Sequence, residues 1–292
     1  MKIIDTTTFF EESMMMDIRF NILDPYIDKF IVCESRYTHS GKTKKINFSV
    51  DDYPKFKDKI IHLILEKEPD NLIKKQDLGA HEKRFNSIQR IKDQRNYIKR
   101  MLSEFSPEDY IIYSDNDEIP NLSKFDLKAS KKKFIIFKQQ MFYYKLNLSL
   151  PNFNWFGSKA CKLKYLKSID FLRNIKNRKY SYLRIDTLFS NYKQNSVKIV
   201  DDGGWHFSNL KTFKELEKKY LNDENHAEYE LQSSSVKKIQ DNIKRKVIPY
   251  NYKAKKNSLD RFNETKLTKV DAIILPKYIR NNIDKFKDWI EW

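Results

Sequence analysis

The sequence predicts an α/β protein built on a mostly parallel sheet, and three observations predict it. Short apolar runs end abruptly in polar loops, amphipathic segments alternate with those runs, and the pattern turns helical beyond residue 210. Phe10, Met14, Met15, Ile18 and Ile22 recur at helical spacing, so Phe9 to Leu23 reads as a helix that Asp24-Pro25 breaks. Lys29 to Ser35 reads as a buried strand opening into a loop, and Lys59 to Leu65 as the next strand. From Glu82 to Leu102, Phe85, Ile88, Ile91, Ile98, Met101 and Leu102 mark an amphipathic helix. A turn at Ser106 to Asp109 precedes the strand Tyr110 to Ser114, and Lys133 to Lys138 is a fourth strand with Gln139 to Leu148 expected to pair beside it. Thr212 to Leu221, Ser233 to Arg245 and Pro276 to Trp292 read as helices. The expected organisation is a catalytic domain over residues 1–210 with a helical annex over residues 211–292 packed on it.

Composition narrows the function classes. The 292 residues carry 57 Lys+Arg against 40 Asp+Glu, a net charge of +17 that suits a polyanionic partner: nucleic acid, an anionic membrane surface or a phosphorylated ligand. The basic residues are spread along the chain, and no RNA-recognition aromatic signature, zinc-finger spacing or basic zipper appears, so nucleic acid is not expected. Only 5 glycines and 2 cysteines, Cys33 and Cys161, exclude a collagenous chain and a disulfide scaffold and fit a reducing compartment. Asp17 and Arg19 interrupt the one candidate apolar stretch near the start, and no run is long enough to span a bilayer. The expected location is the cytoplasm, with peripheral contact to an anionic membrane.

Three clusters carry chemistry. Asp115-Asn116-Asp117-Glu118 follows a buried strand directly, and in open α/β sheets ligands bind at the carboxyl ends of strands. An Asp-x-Asp triplet also arises in surface turns, but this placement favours a site for Mg²⁺ or Mn²⁺, which relieves carboxylate repulsion and bridges to a diphosphate. The second cluster is Asp201-Asp202-Gly203-Gly204-Trp205-His206-Phe207-Ser208. There Trp205 offers a face on which a sugar ring stacks, and His206 is either a metal ligand, a proton carrier or a structural histidine beside a core tryptophan. The third runs from Cys33 to Gly41, where Glu34 and Ser35 either bind a base or ribose hydroxyl or cap the loop. A Mg²⁺ phosphohydrolase would use similar carboxylates, and a non-catalytic nucleic-acid or anionic-surface binder would use the charge alone.

These residues together resemble glycosyltransferase family 17, which includes the β-1,4-mannosyl-glycoprotein 4-β-N-acetylglucosaminyltransferases. The likeness runs in order through Phe10-Glu11-Glu12, Arg19, Asp28 to Ser35, Thr38, Gly41 and Gln94-Arg95-Asn96. It continues through Ser114 to Pro120 and Gly204 to Ser208, and ends at Leu275 to Ile279, Asn282 and Phe286. The resemblance implies a GT-A-like, Rossmann-like nucleotide-sugar-binding sheet, inversion at the anomeric centre, UDP-GlcNAc as donor and a glycan as acceptor. On that reading Asp115 and Asp117 are the metal pair, with His206 as an extra ligand. Glu34, Ser35, Arg95, Asp115 and Trp205 contact the donor, with Arg95 on phosphate charge. Glu118 is the nearest candidate for the catalytic base, with Asp186, Asp201 and Asp202 as later alternatives. The animal enzymes are anchored in the Golgi, whereas this chain starts almost at the catalytic segment, so a microbial or viral surface glycan is the expected acceptor.

Overall fold

The structure is a computed structural model that describes residues 1–181, 183–187, 189–227, 235–255 and 258–292. Its organising element is a seven-stranded sheet of order β10-β6-β9-β4-β1-β2-β3. The strands are β1 (Ile3–Phe9), β2 (Lys29–Ser35), β3 (Ile60–Leu65), β4 (Tyr110–Tyr113), β6 (Phe134–Phe137), β9 (Lys159–Lys162) and β10 (Val197–Val200). β1, β2, β3 and β4 run parallel, as the apolar runs predict, while β9 lies antiparallel between β4 and β6. A buried sheet needs cover on both faces. One face packs Ile3, Phe9, Phe30 and Val32 against Met16, Phe20 and Leu23 of helix α1 (Ser13–Leu23). On the other, Ile4, Ile31, Cys33 and Ile111 pack against Ile98, Leu102 and Leu172. Ile98 and Leu102 lie in a 3-10 turn that continues helix α2 (Ala80–Tyr97), and Leu172 lies in helix α3 (Ile169–Asn174).

A second, five-stranded sheet has the order β14-β8-β7-β11-β5. It comprises β5 (Glu118–Pro120), β7 (Gln139–Tyr143), β8 (Leu148–Trp155), β11 (Gly204–Ser208) and β14 (Thr268–Lys269). Besides the longer connection from β5 to β6, the chain passes from one sheet to the other by short links at β4 to β5, β6 to β7, β8 to β9 and β10 to β11. The segments 114–117, 138, 156–158 and 201–203 therefore form a seam. Two glycines make that seam close. A side chain at Gly204, where φ is +131°, would begin 2.1 Å from the Ile119 carbonyl, and one at Gly157 would begin 2.0 Å from the Glu118 carboxylate.

Several sequence expectations are corrected. Gln139 to Leu148 does not pair beside β6; β7 enters the second sheet, between β8 and β11. β1 was not expected as a strand, because Asp5 and three threonines break its apolar run. The structure buries Asp5 by pairing it with the fully buried Arg19, whose Nε and Nη2 donate to it at 2.7 and 2.6 Å while Nη1 donates to the Glu118 carbonyl at 2.7 Å. Phe85 and Ile88 of α2 are exposed, and Asn86, Ser87 and Gln94 are buried instead.

The region 211–292 is not purely helical. Helix α4 (Phe213–Tyr220) and the helix Ser235–Arg245 cover Met141, Tyr143 and Leu150 of the second sheet, but β14 adds a strand to that sheet and β12 (Val247–Ile248) pairs with β13 (Thr265–Lys266). Ser233, expected to start the second of those helices, lies outside the described residues. Pro276 to Trp292 is a short helix Lys277–Asn281 and a 3-10 run Ile283–Trp289, divided by Asn282 in a non-helical conformation. Tyr278 of the short helix donates to Asp17 of α1 at 3.0 Å. Among the described residues no helix is long and apolar enough to cross a membrane.

Candidate active site

The two aspartates of the triplet point into different surroundings, because one ends the first sheet and the other begins the second. Asp115, just past β4, is enclosed by groups carried on that sheet and its helices. Arg95 Nη2 and the Tyr113 hydroxyl donate to its Oδ1 at 3.0 and 2.9 Å; Arg173 Nε and Nη2 donate to its Oδ2 at 3.0 and 2.8 Å. Burial alone would push this carboxyl up, but the Arg173 and Arg95 charges hold it well below the usual carboxylate range. Arg95 also donates from Nε to Tyr113 at 3.0 Å. Among the described residues nothing hydrogen-bonds Nη1 of either arginine, so two guanidinium edges stay available at the strand end.

Asp117 faces the second sheet. Its backbone carbonyl accepts from Phe207 at 2.8 Å, and its Oδ1 lies 3.4 Å from His206 Nε2. Burial favours the neutral form of each; their mutual attraction outweighs it, lowering the Asp117 carboxyl and raising the His206 imidazole. His206 Nδ1 is buried with no hydrogen-bond partner, and the ring packs 4.9 Å from Trp155. Among the described residues no three His, Cys, Asp or Glu side chains group to hold a metal. Asp117 Oδ1 and His206 Nε2 are two donor atoms side by side that fit a transition-metal ion such as Mn²⁺ once the imidazole gives up its proton, with phosphate oxygens completing the set rather than a cage made wholly of protein. Asp115, with both oxygens engaged by arginines, fits such a cation poorly.

Glu118 turns inward under Gly157 and is 1% exposed. Its Oε2 accepts from the Asp115 backbone N–H at 3.0 Å and its Oε1 from Trp155 Nε1 at 2.5 Å. Burial pushes its carboxyl up, against the pull of Arg173. This geometry makes Glu118 the post that shapes the triplet and gives it no open edge toward a substrate hydroxyl. The alternatives Asp201 and Asp202 line a separate cavity, and Asp186 is tied to Arg184 and Lys193 at the surface.

Glu34 and Ser35 are also drawn into local structure. Glu34 is fully buried at the end of β2 and accepts from the Asn47 and Phe48 backbone N–H groups at 2.9 Å each and from the Lys44 ammonium. Burial would raise its carboxyl, yet these donors and the nearby His62 bring it below the ordinary value. Ser35 Oγ caps the turn by accepting from the Tyr37 N–H at 3.1 Å. Trp205 lies on the opposite face of β11 from His206, as neighbouring strand residues must. Its Nε1 donates to the Ile274 carbonyl at 2.8 Å. The structure thus brings Arg95, Asp115, Asp117, Glu118 and His206 together and separates Glu34, Ser35 and Trp205 from them.

Residues without an assigned role support this cluster. Glu12 accepts from Asn116 Nδ2 at 2.7 Å and faces Lys211 Nζ at 3.2 Å, tying the triplet to the start of α1. Gln94 donates to the Cys33 carbonyl at 2.9 Å and the Phe9 carbonyl at 3.4 Å, so one side chain joins α2 to the ends of β1 and β2. His39 stands near Gln94 and Arg95, and burial followed by the Arg95 charge brings its imidazole down to about 4. Lys159, 2% exposed, donates at 2.6 Å to the carbonyls of Arg173 and Ile175 and so holds the end of α3 from which Arg173 reaches Asp115. Burial and then the Arg173 charge bring its ammonium down to about 7. No spacing rule points to Arg173, Trp155 or Lys159; Glu12, Gln94 and Asn116 sit inside motif segments, where their roles had no geometric clue.

A covered, mostly parallel sheet brings carboxylates and guanidiniums together at one strand end, and the chain is a glycosyltransferase. It belongs to glycosyltransferase family 17, whose model matches residues 1–290. No curated protein matches the chain in sequence. Among solved structures, HddC from Yersinia pseudotuberculosis is 12% identical, with a TM-score of 0.32 over 71% of this chain and 91% of that one. A glycosyltransferase involved in the glycosylation of the major capsid of PBCV-1 is 11% identical, with a TM-score of 0.31 over 69% and 82%. Neither overlay is close enough to bear on the function.

Proposed function

We propose that the protein is a metal-assisted, inverting glycosyltransferase of GT-A type that moves GlcNAc from UDP-GlcNAc onto a glycan acceptor. The observation that carries this reading is the split triplet at the seam. Asp117 stands beside His206, two side chains that would hold a cation between them, and Asp115, two residues earlier, organises two arginines. The donor sugar follows the family's resemblance, and the diphosphate follows the cleft's charge.

Asp117 and His206 would hold Mn²⁺, whose chemistry is to neutralise charge on the departing diphosphate. Asp115 keeps Arg95 and Arg173 apart and aimed, and each can donate its open Nη1 edge to a phosphate oxygen. The preset orientation matters because fixed donors stabilise developing charge without reorganising at the moment of reaction. Glu118 and Gly157 hold the turn that separates the two aspartates. Lys159 fixes the end of α3 behind Arg173, and Glu12 with Asn116 fixes the other rim.

The test is a donor panel with and without Mn²⁺, read by thermal unfolding and by release of nucleoside diphosphate. UDP-GlcNAc with Mn²⁺ should give the largest stabilisation and slow hydrolysis in the absence of acceptor. Indifference to every nucleotide sugar, or release of phosphate from simple esters, would overturn the reading.

A further inference from the structure

Trp205 and its neighbours form a second polar chamber that the transfer site does not use. Strand register places Gln140 beside Trp205 and Asn154 beside Gln140, all on the face of the second sheet opposite His206. These residues line a cavity of about 1100 Å³ whose walls include none of Arg95, Asp115, Asp117, Arg173 or His206. Pockets for single small ligands run to roughly 300–1,000 Å³, so this space suits a ligand of several rings.

The lining chemistry defines the ligand. Asn121, Gln140, Asn152, Asn154 and Asn281 present carboxamides, and each carboxamide donates and accepts at once. Sugar hydroxyls have the same dual character, while an apolar ligand would leave these amides without partners. Among the described residues no hydrogen bond engages the side chains of Asn152, Asn154 or Asn281. Trp205, Tyr26 and Tyr278 add aromatic surface of the kind that packs on the C–H faces of sugar rings. Lys124, Lys138, Lys277 and Arg280 face only two carboxylates, Asp201 and Asp202, and Lys138 already pairs with Asp201 at 2.9 Å. Among the described residues no ion pair engages Lys124, Lys277 or Arg280, which leaves positive charge at the wall.

We propose that this cavity is a saccharide-binding site, separate from the transfer cleft, that holds an acidic oligosaccharide. It would keep the protein on an anionic glycan while the cleft acts elsewhere, and it does not depend on the donor or metal assignment above.

The test is calorimetric titration of the full chain at low salt with a hyaluronan hexasaccharide, which carries carboxylates, and with uncharged chitohexaose. The acidic hexasaccharide should bind about tenfold tighter, because screened charge pairs contribute on that scale. Asn154→Ala should weaken it about fivefold, the worth of one hydrogen bond, and the exposed Arg280→Glu about tenfold or more. Both variants should keep the wild-type thermal response to nucleotide sugar, and Asp117→Asn should keep the hexasaccharide affinity. Failure of the acidic sugar to bind, equal binding of chitohexaose, or binding unmoved by Asn154→Ala and Arg280→Glu would overturn the proposal. So would loss of binding in Asp117→Asn, which would move the sugar to the transfer cleft.

Discussion

Asp115 and Asp117 are two residues apart in the chain, yet they belong to different parts of the molecule. Asp115 sits at the end of the first sheet and answers to α2, α3 and Tyr113; Asp117 sits at the start of the second and answers to β11. Four donor contacts saturate the first, whereas one imidazole at 3.4 Å faces the second. An Asp-x-Asp triplet is therefore not a pair of equivalent ligands. One aspartate builds the cleft, and the other is left with capacity to act in it.

The largest expected effect tests that division directly. Asp117→Asn should lower transfer or donor hydrolysis by about 10³-fold, the scale of removing one preorganised electrostatic group, at a small cost in stability because His206, unlike an arginine, can release its proton when its counter-charge goes. Asp115→Asn should do the reverse in emphasis, costing about 3–5 kcal/mol of stability because two enclosed guanidiniums lose their counter-charge. Equal stability losses in chemical denaturation of the two variants would erase the comparison.

Lys159→Met should be milder, and its signature lies in pH. The folded ammonium titrates near 7 rather than at its ordinary 10.5, so in that window the unfolded chain binds more protons than the folded one. Stability contributed at this site therefore rises as pH climbs above about 7. The penalty is complete below that point. Urea unfolding at pH 7 and pH 9 should show the rise in the wild type and a smaller rise in Lys159→Met; identical slopes would mean that burial does not lower the Lys159 ammonium. The smallest of these effects should come from Glu118→Gln, at about 1–3 kcal/mol, since the amide keeps one acceptor and loses the other to an N–H facing N–H clash. A loss of activity there beyond the loss of folded protein, measured on the residual native fraction, would restore Glu118 to chemistry.

Much of the first sheet was legible because burial writes itself as apolar runs. β2, β3, β4 and β6 appear within a residue or so of their expected limits. β1 escaped because its core position is compatible with Asp5 only through Arg19, fourteen residues on, and an ion pair at that distance leaves no periodic trace. The site shows the same limit. The triplet, Arg95 and His206 could be named from the chain, but Arg173 reaches Asp115 from 58 residues away through the packing of α3.

The sequence by itself determined the family, the parallel core and the acidic strand end, because apolar patterning and ordered motifs are local properties of the chain. Tertiary structure alone decided which carboxylates are spent and which remain open. It turned Glu34 and Glu118 into anchors, put Trp205 and His206 on opposite faces of one strand, and inserted β9 beside β4. The physical reason is that a carboxylate's role is set by the donors and the dielectric around it. Those surroundings come from strands and helices that meet only when the two sheets close on their shared seam.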